Sequence, residues 1–347
     1  MKIHRIFPWL GLLFILPACI ICGCSAPGAA PHETPATPAL TPVKVAYMPI
    51  TSFGPIFIAK DEGYFEQQGL DVELVRFQAT SEALPLLLKG DIAVSGGTLS
   101  PGIINAAADG ARIRLVADKG TILSDSCNSQ GIVVRRDLVE SGAVKGIADL
   151  RGRKIASTSD QSYNVRRALA LGNLTTDDVS LIDMPRPSIL AALQNKALDA
   201  AFLMEPVLSQ ATRNNSSVVI LGGYAATPNL SSPLIYGPAF TDANPDLGRR
   251  FMAAYLLGVR EYNQGKTVRN LAILANYTQM DREDMNMTCW VTIAPDGEFP
   301  GQPIQDYMDW MLAEKKISRT VPVDQLVDMS YARGAAGVLP PDSTQHP

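Results

Sequence analysis

Short apolar runs alternate with longer amphipathic stretches along most of the chain, beginning near residue 43. Aliphatic and β-branched residues fill segments such as 43–48 and 200–203, which have the length of buried strands. Between such runs lie segments such as 163–171, where apolar residues recur at helical spacing. Strands that alternate with helices are typical of α/β proteins with largely parallel sheets. The pattern therefore predicts an α/β fold.

The predicted strands fall into two series. The first comprises 43–48, 72–75, 92–94 and 113–117, and the second 131–134, 154–157, 179–182, 200–203 and 218–221. Residues 222–232 have the composition of a loop, and the chain beyond them is predicted to be mainly helical. Because the chain passes between the series near residues 122–130 and 222–231, we expect two lobes, with the second inserted into the first. The predicted bounds are 43–126 and 227–340 for the first lobe and 127–226 for the second.

The N-terminal 42 residues have the composition of a targeting segment followed by a tether. Lys2 and Arg5 precede an apolar run that is shorter than the roughly 20 residues of a membrane-spanning helix. The run ends in Ile-Cys-Gly-Cys at 21–24, which fits the pattern in which a lipoprotein signal is cut in front of a lipidated cysteine. We therefore predict a signal peptide over 1–23, lipidation of Cys24 and a proline-rich tether over 24–42.

The alternative for this region is an ordinary secretory signal with incidental cysteines. Both alternatives predict that the protein is exported. The lipoprotein signal also predicts a lipid anchor in the cell membrane, on the periplasmic or outer side.

Composition excludes several classes of site. The net charge is −4 and lysines and arginines do not cluster, so no nucleic-acid partner is expected. The three histidines, His4, His32 and His346, all lie outside the predicted globular body. This excludes Ser/His/Asp and Cys/His catalytic sites and histidine-ligated zinc, and we expect neither a metal nor a cofactor. Cys127 and Cys289 remain after processing, and the sequence leaves open whether they form a disulfide or two buried thiols.

Several segments resemble one family of transport proteins. They are VAYMP at 45–49, AKDEGYF at 59–65, GLDV at 69–72, LKGDIA at 88–93 followed by Gly96 and Gly97, LRGRKIA at 150–156 and ALDAAFLMEP at 197–206. In this order and spacing they are similar to the nitrate, sulfonate, taurine and thiamine-precursor class of periplasmic substrate-binding proteins. The similarity runs from about residue 43 to about residue 336.

The resemblance implies a bilobed, type II periplasmic-binding-protein fold with two mixed, mostly parallel sheets joined by a hinge. It also implies a non-enzymatic, monomeric protein that delivers a small molecule to the permease of an ABC importer. One alternative is a ligand-binding sensory lipoprotein. Another is an enzyme of the same fold, such as a menaquinone-pathway dehydratase, which the export signal disfavours. A relative that makes a thiamine precursor consumes one of its own histidines, and the body of this chain has none.

The loops that follow the predicted strands contain the candidate ligand-binding residues. In open α/β sheets, ligands lie beyond the carboxyl ends of the strands. The candidates are Ser52, Phe53, Gln78, Gly97, Thr98, Ser159, Gln161, Tyr163, Arg186 and Glu205. We expect Phe53 to stack on a flat ligand or, alternatively, to belong to the core.

Other candidates also have a structural alternative. Gly97 is suited to a tight turn, Arg186 to a solvated surface and Glu205 to the cap of the next helix. Because Glu205 and Asp125 balance Arg186 and Lys119 in these loops, a neutral or zwitterionic heterocycle of the pyrimidine or flavin kind is slightly favoured. A sulfonate is the alternative ligand.

Overall fold

The computed structural model describes residues 39–124 and 127–339. The predicted signal peptide, Cys24, most of the tether and Asp125 lie outside the described residues. The strands are β1 (Thr41–Tyr47), β2 (Leu70–Arg76), β3 (Val94–Gly96), β4 (Arg114–Thr121), β5 (Gln130–Arg135), β6 (Lys154–Ser157), β7 (Ser180–Asp183), β8 (Ala200–Met204), β9 (Ser217–Gly222) and β10 (Ser231–Tyr236). They form two five-stranded sheets, which define two lobes.

The two sheets have the same topology. The order is β2-β1-β3-β10-β4 in the first sheet and β7-β6-β8-β5-β9 in the second. In each sheet one strand, β10 or β5, pairs antiparallel with both of its neighbours, and the other four strands run in one direction. The chain crosses from the first sheet to the second after β4 and returns before β10. This arrangement confirms the predicted α/β class.

Helices cover both faces of each sheet. They are α1 (Gly54–Asp61), α2 (Tyr64–Gln67), α3 (Thr80–Lys89), α4 (Pro101–Ala108), α5 (Arg136–Glu140), α6 (Ser162–Ala170), α7 (Arg186–Gln194), α8 (Val207–Arg213), α9 (Gly223–Ala226), α10 (Pro245–Asn263), α11 (Val268–Thr278), α12 (Arg282–Met287), α13 (Gln302–Ala313), α14 (Val323–Leu326) and α15 (Ser330–Ala336). Among the described residues, no helix is long and apolar enough to cross a membrane.

Side-chain alternation along the strands divides the first lobe's core into two layers. On β10, Ile235 packs in the layer that contains α4 and α13, while Tyr236 packs in the layer that contains α1 and α10. In the second lobe, Ile132 and Val133 of β5 separate in the same way. Successive side chains of a strand point to opposite faces, so a strand buried on both sides is apolar throughout.

The structure corrects two parts of the strand prediction. Residues 231–236 form β10, in a region where a loop and then helices were expected, and β10 lies between β3 and β4. β4 continues to Thr121, beyond the end of the strand predicted over 113–117. A disulfide joins Cys127 to Cys289, with their Cα atoms 5.7 Å apart, and this decides between the two alternatives for the cysteines.

Candidate functional site

A cavity lies where the carboxyl edges of the two sheets face each other. Its wall is formed by loops after β1 and β3, the end of β4, the starts of β10 and β5, and the segment after β8. The empty space between the lobes here is about 640 Å³ when the open solvent at its mouth is counted. The lining residues are Ile50, Thr51, Ser52, Thr98, Leu99, Gly120, Ile122, Ser129, Gln130, Asn164, Met204, Glu205, Leu230, Ser231, Ser232, Val291 and Tyr307.

Two amide side chains in this wall have polar atoms without a partner. Gln130 at the start of β5 and Asn164 on α6 are 5% and 3% exposed. Within the described part of the chain, Gln130 Nε2 and Asn164 Oδ1 are buried and accept or donate no hydrogen bond. A buried polar atom without a partner costs free energy, so such atoms are rare in folded proteins. Because both residues line the cavity, these two atoms are candidates for hydrogen bonds to a bound molecule.

Glu205 is the only charged residue of this lining. Its Oε1 accepts hydrogen bonds from Ser209 Oγ at 2.6 Å and from the Cys289 N–H at 2.9 Å, and its Oε2 accepts one from the Ser209 N–H at 3.0 Å. Burial raises the pKa of Glu205, although these hydrogen bonds oppose the rise. The carboxylate therefore supports α8 and joins the second lobe to the segment around Cys289.

A lysine lies directly behind the Ser52 side of the wall. Lys119 on β4 is fully buried, and its Nζ donates a hydrogen bond to Ser52 Oγ at 2.8 Å. The Nζ also lies 4.2 Å from the centre of the Phe53 ring. Burial lowers the pKa of Lys119 to about 7, and the carboxylate of Asp118 partly opposes this. The Lys119 amino group is thus separated from the cavity by the Ser52 side chain.

The neighbouring Asp118 serves the fold on the other face of β4. Its carboxylate accepts hydrogen bonds from the Gly120 and Ala294 N–H groups and from the hydroxyls of Thr121 and Ser231. Burial raises the pKa of Asp118, and these four donors oppose the rise. Asp118 thereby fixes the ends of β4 and β10 that form the cavity wall.

Of the predicted binding residues, Ser52, Thr98 and Glu205 line this cavity. Gln161 lies behind it, where its Nε2 donates to Thr98 Oγ1 at 3.3 Å and its Oε1 accepts from Asn164 Nδ2 at 2.8 Å. The Gln161 contact joins the two lobes.

Three other candidates lie away from the cavity wall. Phe53 was expected to stack on a ligand, but the structure places its ring in the core, 1% exposed and stacked on Phe57. Gly97 has a φ of 126°, and a Cβ there would lie 2.4 Å from Thr80 Oγ1. Backbone conformation and close packing therefore both require glycine at this position. Ser159 is exposed in a short 3₁₀ helix.

The remaining candidates lie at other openings between the lobes. Gln78 and Arg186 line a second cavity, where Arg186 donates to the Gln78 carbonyl oxygen at 2.7 Å and pairs with Asp160 at 3.0 Å. Tyr163 packs against Tyr307 and Trp310 of α13, with ring centres 4.5 and 4.7 Å away. Both arrangements hold the second lobe against the first.

Sequence reasoning missed Gln130 and Asn164. Asn164 stands between Tyr163 and Val165 on the buried face of α6, and a polar residue in such a place is a signal that could have been used. Gln130 carries no comparable signal, since it reaches the cavity because β5 runs antiparallel and starts at the edge where its neighbours end. No group of three or more potential metal ligands occurs among the described residues.

The chain is similar in sequence and fold to several known proteins. The riboflavin-binding protein RibY of Chloroflexus aurantiacus is 24% identical over 270 residues, which are 73% of this chain and 72% of that protein. The alkanesulfonate-binding protein SsuA of Xanthomonas axonopodis pv. citri, bound to MOPS, has a TM-score of 0.67 at 19% identity and covers 84% of this chain and 99% of its own. The desulfurization enzyme DSZB has a TM-score of 0.64 at 13% identity and covers 86% and 99%. At such identities the two structures show the fold alone.

The sequence model of the NMT1-like family matches residues 36–227. This match covers β1 to β9, and thus the whole second sheet and all strands of the first except β10, and it includes Ser52, Gln130, Asn164 and Glu205 of the cavity wall. Since the match spans more than half of the sequence, the chain belongs to the NMT1-like family.

Proposed function

We propose that the protein is an extracytoplasmic substrate-binding protein that delivers a small organic molecule to the permease of an ABC importer. The observation that carries the proposal is the interlobe cavity with the unpaired atoms Gln130 Nε2 and Asn164 Oδ1. A transport protein needs a site that binds a small molecule between two lobes and changes nothing in it. The relative RibY, whose name describes a binding protein, supports the same function.

The wall chemistry favours a neutral or zwitterionic heterocycle of the pyrimidine or flavin kind. An unpaired donor and an unpaired acceptor suit a molecule with both a carbonyl oxygen and a ring N–H, as in a lactam. Seven of the lining side chains are apolar, among them Ile50, Leu99 and Tyr307, and can pack against ring faces. Glu205 is the only charge on the wall, which disfavours a strong anion. A sulfonate is the second candidate, because Lys119 lies close behind Ser52.

The same fold also occurs in DSZB, so fold alone does not distinguish a binding protein from an enzyme. The described part of the cavity wall contains neither histidine nor cysteine, and Cys127 and Cys289 are joined to each other. A wall of hydroxyls and amides suits recognition better than nucleophilic catalysis. A sensory lipoprotein would use the same site, and a permease and an ATPase encoded beside this protein would favour transport.

The ligand is to be identified by native mass spectrometry of the purified protein, followed by calorimetry with the molecule found and with riboflavin and uracil. Replacing Gln130 by Met removes the unpaired donor while keeping the side-chain length. We expect Gln130→Met to lower ligand affinity about tenfold or more, as loss of a buried hydrogen bond does, and to leave the melting temperature of the ligand-free protein unchanged or higher. Gln325→Met, on the exposed helix α14, is the matched control.

A Gln130 side chain that serves only the fold would give different results. If Gln130→Met binds as tightly as the unchanged protein, or if it loses stability and affinity together, the cavity is not the ligand site. Absence of any bound molecule and of any binding in the panel would overturn the proposed function.

We further propose that the protein is anchored by a lipid on Cys24. The proposal is supported by the Ile-Cys-Gly-Cys pattern and the proline-rich segment behind it. Changing Cys24 to Ser is expected to leave an unprocessed precursor without diacylglycerol, measured as intact mass in the membrane fraction. Cys22→Ser is the control, because it leaves the acylated position intact. Normal cleavage and lipid modification of Cys24→Ser would contradict the anchor.

A further inference from the structure

Lys119 is a buried basic residue that has no salt bridge to a carboxylate among the described residues. Its exposure is 0%. Its Nζ has Ser52 Oγ as hydrogen-bond acceptor and the face of Phe53 on one side. Removing an ammonium group from water without an ion pair is costly, so its position calls for a reason.

The hydrogen bond between the two residues gives Ser52 a defined orientation. When Lys119 is protonated its ammonium group has no acceptor, so Lys119 must donate and Ser52 Oγ must accept. The Ser52 hydroxyl hydrogen is then free to point elsewhere, and Ser52 lines the cavity. A hydroxyl that accepts from a cation becomes a stronger donor itself. The wall at Ser52 therefore offers a strengthened donor to an oxygen atom in the cavity.

The carboxylates near this pair are already bound by other groups. Asp118, on the same strand, accepts four hydrogen bonds on the opposite face of β4, and the Tyr255 hydroxyl donates to its carbonyl oxygen. Glu205, on the other side of the cavity, accepts from Ser209 and Cys289. Asp118 therefore acts on the Lys119 charge only through space, and within the described residues no salt bridge neutralises the charge behind Ser52.

We propose that Ser52 and Lys119 form a subsite for an oxygen acceptor of the ligand, and that binding of a negatively charged oxygen there is coupled to protonation of Lys119. This inference rests on the proposed function and adds the chemistry of one end of the ligand. The oxygen accepts from the Ser52 hydroxyl, and the proton that Lys119 gains comes from the solvent. Lys119 acts through Ser52 and is a positioning residue.

The coupling follows from charge and distance. An oxyanion bonded to Ser52 lies two hydrogen bonds from Nζ, close enough to favour the ammonium form in a site with little water. With a pKa of about 7 in the free protein, Lys119 is partly neutral under ordinary conditions and gains a proton on binding. A neutral oxygen acceptor, such as a ring carbonyl, uses the same Ser52 donor with weaker coupling.

The test uses the mature protein and two probes of similar shape, methanesulfonate, which is an anion, and dimethyl sulfone, which is neutral. Calorimetry in buffers of different ionisation enthalpy measures both affinity and proton uptake. For the unchanged protein we expect methanesulfonate affinity to fall about tenfold or more between about pH 6 and about pH 8.5, with net proton uptake on binding.

Three variants separate the parts of the subsite. Lys119→Met should bind methanesulfonate weakly, with little dependence on pH and no proton uptake. Ser52→Ala should weaken both probes. An alanine Cβ at Gly96 would lie 2.9 Å from Cδ and Cε of Lys119, so Gly96→Ala displaces the lysine chain without removing its charge and should weaken methanesulfonate binding to an intermediate extent.

Three results of these binding measurements would contradict the Ser52–Lys119 subsite. Methanesulfonate binding that is equal in Lys119→Met and the unchanged protein, binding of dimethyl sulfone alone, or no binding of either probe would each overturn the subsite. None of these results affects a co-purified molecule found by native mass spectrometry, so the proposed function stands or falls separately. Dimethyl sulfone bound alongside methanesulfonate and lost in Ser52→Ala supports a subsite that also accepts carbonyl oxygens.

Discussion

Lys119 lowers the free energy of unfolding by an amount that depends on pH. Its pKa falls from 10.5 to about 7 on folding because burial removes its hydration. Below about pH 7 the group is charged in both states, and the full cost of burying the charge is present. Between the two pKa values the unfolded chain binds more protons at this site, so stability rises with pH. Above about pH 10.5 both states are neutral and the cost disappears.

This linkage predicts the behaviour of Lys119→Met, which has a similar shape and no charge. The variant should unfold at higher denaturant concentration than the unchanged protein at pH 6, and the difference should shrink as pH rises from 7 to 10. Urea unfolding across this pH range measures it. Lys145→Met, at an exposed position, is the control and should show no such trend. A difference in stability that stays constant with pH would mean that burial does not lower the pKa of Lys119.

At the residue scale, the sequence predicted loops better than side chains. The rule that ligands lie at strand ends indicated Ser52, Thr98 and Glu205, which line the cavity. It could not tell which neighbour in each loop faces inward. Phe53 follows Ser52 but turns into the core, and Tyr163 precedes Asn164 but packs on α13. On a helix, neighbouring side chains differ in direction by about 100°. In a loop, the backbone dihedral angles determine where each side chain points.

At the element scale, the strands that were predicted are those rich in aliphatic and β-branched residues. β10 was missed because it contains Ser231, Ser232 and Pro233, and proline removes a donor from a ladder. The structure accommodates it with an irregularity in the β4 pairing between Ser231 and Pro233. Its later residues Ile235 and Tyr236 are fully buried, one on each face of the sheet. The position of β10 between β3 and β4 depends on long-range pairing, which local patterns do not contain.

At the scale of the whole molecule, the two lobes contact each other outside the cavity. Arg186 binds the Gln78 carbonyl oxygen, Gln161 bonds to Thr98, and Arg166 of α6 pairs with Glu314 beside α13 at 2.9 Å. These bonds, with the Tyr163 rings on α13, hold the lobes close together. We interpret this arrangement as the closed form of the hinged protein that the sequence resemblance implies.

Weakening these contacts should shift the ligand-free protein towards an open form. We expect the double variant Arg186→Ala, Arg166→Ala to have a larger radius of gyration in small-angle scattering. The partly exposed Arg166–Glu314 pair contributes on the order of 1 kcal/mol or less, and the hydrogen bond from Arg186 to the Gln78 carbonyl oxygen contributes roughly 1–3 kcal/mol, enough to change the open population several-fold. Arg269→Ala, which breaks an ion pair with Glu62 inside the first lobe, is the control. An unchanged scattering profile in the double variant would indicate a rigid receptor.

The disulfide between Cys127 and Cys289 has a consequence for resistance to proteolysis. The two cysteines are 162 positions apart, so β5 to β10, with the helices between them and α10 to α12, lie within one covalent ring. A single cut by a protease anywhere in that ring leaves both ends of the broken chain attached through sulfur. Exposed loops of the second lobe can therefore be nicked without release of a fragment. A nicked molecule would migrate as one species on a denaturing gel and separate into pieces only after reduction.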